Sequence, residues 1–227
     1  MEKALKITFN LDGTGVYYDP AEPPMLDAII DYALNNMRRS KVAPSRGEEP
    51  CEIVLPIKRW RIDGVDGWCA SALFPEGEGF ETLFHWRKKT EIDRAFLSGE
   101  NRHQRVGSTK EYNMPVPELA VHKLVGWLVT TAKPSSIRSL LRRNIQFIGK
   151  KGSIGQGMIR RGEDGKPMID VEVIEDDYSL VRDGHATRYL PKADGIRRCR
   201  TRPPYWNNHD AVSVCEIGDE YDLPDNY

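Results

Sequence analysis

Residues 119–159 read LAVHKLVGWLVTTAKPSSIRSLLRRNIQFIGKKGSIGQGMI, and the fold is decided there. Leu119, Val121, Val125, Trp127 and Val129 alternate with other residues, the period-two signature of a strand. Lys133-Pro134-Ser135-Ser136 then opens a short helix: proline suits the first turn, where its missing N–H has no partner to lose. Ile137, Leu140 and Leu141 form its inner face, which puts Arg138, Arg142 and Arg143 on the outer side. Residues 145–148 read as a short strand. Then come four glycines in nine residues, Gly149, Gly152, Gly155 and Gly157, with Lys150, Lys151 and Ser153 among them.

Working outward, residues 5–11 alternate Leu5, Ile7, Phe9 and Leu11 as a half-buried strand ended by Asp12-Gly13-Thr14-Gly15. Pro23 and Pro24 precede Met25, Leu26, Ile29, Ile30, Ala33, Leu34 and Met37, predicting an amphipathic helix over 24–38. A polar, proline-bearing linker leads to a strand over 51–57. Residues 68–74 read as another strand, expected to pair with 82–88 across the turn at 75–79. Residues 89–115 lose periodicity around Asn101-Arg102-His103-Gln104-Arg105 and read as an inserted arm. A last strand is expected over 168–174. The order approximates βαββαβ, so the expected class is α+β, ferredoxin-like (RRM-like), with a glycine-rich loop and an inserted arm or thumb. The expected division is a core over 1–161 and, over 162–227, C-terminal strands and an acidic tail packing on it.

The net charge of −1 conceals a polarised chain. Residues 133–161 hold eight basic residues and no acidic one; residues 182–202 hold seven basic residues against Asp183 and Asp194. From Asp210 onward there are six acidic residues and no basic one. The middle of the chain therefore suits a polyanion and its end does not. No apolar run reaches the length of a membrane span and no h-region follows Met1, so a cytoplasmic protein without membrane contact is expected. The cysteines at 51, 69, 199 and 215 form no C-x-x-C, which speaks against zinc; no metal or other cofactor is expected.

Glycine lets the backbone turn tightly and approach a ligand closely, so the loop at 149–157 is suited to an anion held by backbone N–H groups. It is not a nucleotide P-loop, because Met158-Ile159 stand where Lys-Ser/Thr would follow. It also lacks G-x-G-x-x-G. A glycine-rich hairpin with a solvated lysine pair explains the loop equally well in isolation. Its setting favours a nucleic-acid backbone: Arg138, Arg142, Arg143, Arg160 and Arg161 flank it, more cations than a small anion needs. Arg59-Trp60-Arg61 and Trp86-Arg87-Lys88 interleave cations with tryptophan, as at sites where bases stack on rings, although core tryptophans with basic neighbours would look the same. Arg197, Arg198, Arg200 and Arg202 form a third basic group on an irregular segment.

The loop form G-x-x-x-x-x-G-x-G at Gly149 to Gly157, after a basic helix and strand, resembles that of the RAMP superfamily of CRISPR-associated proteins. Pro23 to Ala28, Ile53 to Ile57 and Asp66 to Ala72 are similar to the small, Cas five-like (Csf-type) RAMP subunit of type IV effector complexes. The resemblance implies a non-catalytic subunit that caps the repeat-derived 5′ handle of guide RNA (crRNA) and contacts the backbone and large subunits. It implies RNA contacts from the glycine loop and its arginines, with Arg59, Trp60, Arg61, Arg87, Lys88, Arg102, His103 and Arg105 extending the surface. Arg197, Arg198, Arg200 and Arg202 would meet target double-stranded DNA near the PAM. The alternative within the superfamily is a metal-independent crRNA-processing endoribonuclease using His103 or His85 as general base. Phe147-Ile148 stand where the nuclease branch has a G-x ahead of the loop, a departure in loop geometry; no histidine or tyrosine matches the nuclease active site, which favours the binding subunit.

Overall fold

The computed structural model describes residues 2–13, 15–16, 18–19, 22–38, 54–88, 112–149, 156–174, 193–195, 197–203, 205 and 211–214. The architecture is α+β. Strand β1 (Lys3–Asn10) lies between β7 (Lys123–Thr130) and β8 (Ile169–Ile174), antiparallel to both. The short β4 (Phe74–Pro75) pairs with the far side of β7, giving the order β4-β7-β1-β8. β8, downstream of residue 161, is thus a strand of the central sheet.

One sheet face carries Leu5, Ile7 and Phe9, with Leu128, Gly126 and Leu124 opposite them on β7. It is covered by helix α1 (Leu26–Arg38) and helix α2 (Pro134–Asn144), which pack on each other. α1 buries Leu26, Ile30, Ala33 and Leu34; α2 buries Ile137, Leu140 and Leu141. Each leucine or isoleucine among them contributes roughly 1.5–3 kcal/mol by leaving water. Gly126 lets the layers approach closely: a Cβ would stand 2.7 Å from Leu73 Cδ2 and 3.3 Å from both Leu26 Cδ2 and Ala72 O.

Several expectations are corrected. Residues 54–57 are not a strand; Leu55 and Ile57 are buried from an irregular segment, and Pro56, with no N–H to give a ladder, accepts a bond from the Thr130 hydroxyl. The strand at this point is instead a hairpin, β2 (Arg59–Ile62) and β3 (Val65–Trp68). Its turn is Asp63-Gly64, both at positive φ (50° and 80°), the Asp-Gly arrangement that matches strand twist. Residues 68–74 do not pair with 82–88. They follow β7, through the Ala70–Leu128 bridge and the Ser71 N–H bond to Trp127 O, into β4.

Segment 82–88 belongs to β5 (Phe80–Lys88), which pairs with β6 (Tyr112–Ala120) in a separate two-stranded ribbon. The arm expected at 89–115 therefore starts at 80 and ends at 120; residues 89–111 lie outside the described set. Nor is 119–130 one strand. β6 ends at Ala120 and β7 begins at Lys123, and His122 occupies the bend between them. Residues 145–148 make only the bridge Phe147–Met158. The segment expected to be irregular contains β9 (Arg197–Cys199), paired with β10 (Val212–Val214). These two strands pack Cys199 and Val214 against Met25 and Ala72.

Candidate nucleic-acid interface

The two stems of the glycine loop meet at the end of β1. The Ile148 N–H donates to Gly157 O (2.8 Å) and the Ile159 N–H to Gln146 O (3.0 Å). The Asp12 N–H donates to Met158 O, and the Arg160 N–H to Asn10 O. The Leu11 N–H donates to His122 O, which brings the β6–β7 bend to the same place. Gly157 is at φ +66°, and a Cβ there would stand 1.9 Å from Ile148 O. Its N–H donates to Gly15 O at 2.7 Å. Gly157 thus joins the loop to the second glycine-bearing turn, at 12–15. This gives Gly157 a packing role, in contrast to the RNA contact expected of it. Gly149, exposed and at φ +90°, turns the chain out of the other stem. Lys150, Lys151, Gly152, Ser153 and Gly155 lie outside the described residues.

The flanking cations divide into two sets. Arg138 and Arg142 do not simply face water. Arg138 Nη2 donates to Val171 O at 3.0 Å, and Arg142 Nε to Pro167 O at 2.9 Å. Arg142 Nη2 also grips both oxygens of Asp164, at 3.1 and 2.8 Å. Arg161 Nη1 caps Gly165 O within the same 161–167 turn. Arg138 and Arg142 tie β8 and the 161–167 turn to α2, while Arg161 braces the turn itself. The Lys166 amide, with the charges of Arg142 and Lys166, holds the Asp164 carboxyl below its ordinary pKa. Arg143 and Arg160 are exposed and make no ion pair among the described residues.

The aromatic–cation group is arranged differently from expectation. Trp60 is 3% exposed, part of the main core, and its indole N–H donates to Trp68 O at 3.2 Å. Its ring lies across Gly67, where a Cβ would come within 2.0 Å of Cζ2. No face remains for a base to stack on, which corrects its place among RNA contacts. Arg59 sits over the Trp68 ring at 4.9 Å, and Arg61 lies 3.4 Å from Asp66 with most of its side chain in water. Positions 87 and 88 are on β5; Arg102, His103 and Arg105 lie outside the described residues.

The third basic group is partly absorbed by the fold. Arg197 pairs with Glu22 at 2.8 Å, and Arg200 is buried, 8% exposed. Arg198 is exposed and donates to Ala211 O; Arg202 is half-buried. The same segment is fastened by the Thr201 hydroxyl to Asp66 O and by the Tyr205 hydroxyl to the buried Asp27 Oδ2, both at 2.6 Å. Sequence reading missed the turn at 12–15 as a neighbour of the loop; its glycine pair directly after β1 was the available signal. Among the described residues no group of His, Cys, Asp and Glu could hold a metal, and no helix is long and apolar enough to cross a membrane.

Taken together, the chain is an α+β protein with an antiparallel sheet and a glycine-rich loop set in a stretch whose charged residues are all basic. The family model for CRISPR type IV associated protein Csf3 matches residues 3–217, nearly the whole chain, and the chain belongs to that family. It is a type IV CRISPR-associated subunit. No curated protein matches it.

Proposed function

We propose that this chain is the non-catalytic, cytoplasmic subunit that binds crRNA in a type IV effector complex, capping the repeat-derived 5′ handle and seating the backbone and large subunits. The observation that carries this reading is the site of the glycine loop. It leaves the basic helix α2 and is anchored at the end of the central strand, within 133–161, a stretch of sequence with eight basic residues and no acidic one. The topology supports a ferredoxin-like RAMP core. Counting β1, β4, β7 and β8 as its four strands, the sheet order β8-β1-β7-β4 is 4-1-3-2, with one helix after the first strand and one after the third.

In this reading Lys150, Lys151, Ser153 and the loop amides hold phosphates, and Arg143 and Arg160 extend the surface. Arg138, Arg142 and Arg161 act one step removed, by fixing β8 and the 161–167 turn. Arg198 and Arg202 supply the contact with target duplex near the PAM.

The test is fluorescence anisotropy of labelled repeat RNA over a salt series, comparing wild type with Lys150→Ala/Lys151→Ala. Two lost phosphate contacts should lower the magnitude of the log K against log salt slope by about 1.4, from about 0.7 per phosphate on single strands. Unchanged affinity with an unchanged slope removes the loop from the RNA site.

A further inference from the structure

The two outer edges of the β5–β6 ribbon are built unequally. In an antiparallel pair, residues alternate between those bonded to the partner strand and those whose N–H and C=O point away from it. Leu119, opposite Glu81, gives its N–H to Val16 O and takes the Val16 N–H, both at 2.9 Å, so Glu81–Leu119 is a pair that points outward. By alternation the pairs 83–117, 85–115 and 87–113 point outward too. On β6 that edge is closed over 115–119: Val16 covers Leu119, and positions 117 and 115 are prolines with no N–H. On β5 the outward positions are Glu81, Leu83, His85 and Arg87, with no proline among them. Among the described residues none of their backbone groups is hydrogen-bonded outward. Glu81, Leu83 and His85 are exposed, and Leu83 is 60% exposed.

An open row of alternating donors and acceptors is the template for another extended chain. We propose that the β5 edge pairs antiparallel with β5 of a second copy of this chain, joining two ribbons into one four-stranded sheet. The pairing with full overlap sets residue 84 opposite its own copy. It then places Glu81 opposite position 87 of the partner, an arginine, on both sides of the two-fold axis, and Leu83 opposite His85. The outward groups of each strand meet the outward groups of the other in this register. A lone two-stranded ribbon is marginal in water, and four strands supply what two lack.

Analytical ultracentrifugation of the full chain over a concentration series, without RNA, is the test. Wild type should dimerise with rising concentration, and His85→Pro should remain monomeric. His85→Pro spares the β5–β6 ladder because its N–H points outward, as Pro115 and Pro117 already do on β6. Phe84→Cys supplies an independent reading. Residue 84 faces its own copy in a pair not bonded to each other, with Cα atoms about 4.5 Å apart, within disulfide reach. Mild oxidation should give a disulfide-linked dimer of Phe84→Cys that wild type does not form. A wild type that stays monomeric to millimolar concentration overturns the proposal. So does a dimer that His85→Pro leaves intact and Phe84→Cys does not cross-link.

Discussion

Gly157→Ala should be among the most damaging single-methyl changes in this protein, and the structure gives the size of the effect. Gly157 is at φ +66°, and the added Cβ would fall 1.9 Å from Ile148 O, a backbone atom held by the stem bonds. Two costs follow: about 1–2 kcal/mol for an L-residue in the left-handed region, and about 1–3 kcal/mol for displacing the packed stem. About 0.4–1 kcal/mol returns because alanine restricts the unfolded chain. The net is about 1–4.5 kcal/mol, a large share of the 5–15 kcal/mol typical of a domain. Gly165→Ala isolates the first cost, since Gly165 is at φ +71° with nothing within 4 Å of its Cβ position. The two variants should therefore differ by about 1–3 kcal/mol, or roughly 2–12 °C in thermal midpoint at 2–4 °C per kcal/mol. Thermal and urea unfolding of both variants beside wild type measures this. If Gly157→Ala loses no more than Gly165→Ala, the stem does not constrain position 157 and its glycine has another purpose.

Two further outcomes follow from buried and surface contacts. Tyr205→Phe removes the donor to the fully buried Asp27 carboxylate and should cost about 1.5–3 kcal/mol in urea unfolding, with no loss if the strap at 197–205 is incidental. Glu76 accepts from Lys6 Nζ at 2.8 Å, and this bond, followed by the charges of Lys6 and Lys123, lowers its pKa. A depressed carboxylate adds stability above its unfolded pKa and loses it as pH falls through the folded value. Wild type should thus exceed Glu76→Gln in stability at neutral pH, with the gap closing in acid. Asp31, whose pKa burial raises, works in the opposite sense: its contribution is present below the ordinary carboxylate value and fades as pH rises. An unchanging gap between wild type and Glu76→Gln across the titration would show that the Lys6 contact carries no weight.

Local pattern was sufficient for elements whose partners lie on one face. The period-two run of β1, the proline-led α1 and α2 and the strand near 168–174 were all legible, because apolar spacing reports directly which side is buried. The Asp63-Gly64 hairpin was equally legible, since a two-residue turn of that composition between β-prone residues is a local signal, and it went unread. Pairing partners were not legible. Nothing local tells 80–88 to bond with 112–120 across more than twenty residues rather than with its neighbour at 68–74, because strand partners are chosen by three-dimensional packing.

The candidate site divides along the same line. Sequence by itself established the polarity of charge along the chain, the glycine spacing at 149–157 and the failure of the nucleotide-loop patterns, all of which are matters of composition and order. Only the tertiary structure decided what each residue does with its chemistry. It turned Trp60 inward over Gly67, spent Arg138, Arg142 and Arg161 on backbone carbonyls and Asp164, and wedged Gly157 against Ile148 O. A side chain's charge is written in its identity; whether that charge meets a ligand or the protein itself depends on which distant segment the fold lays beside it.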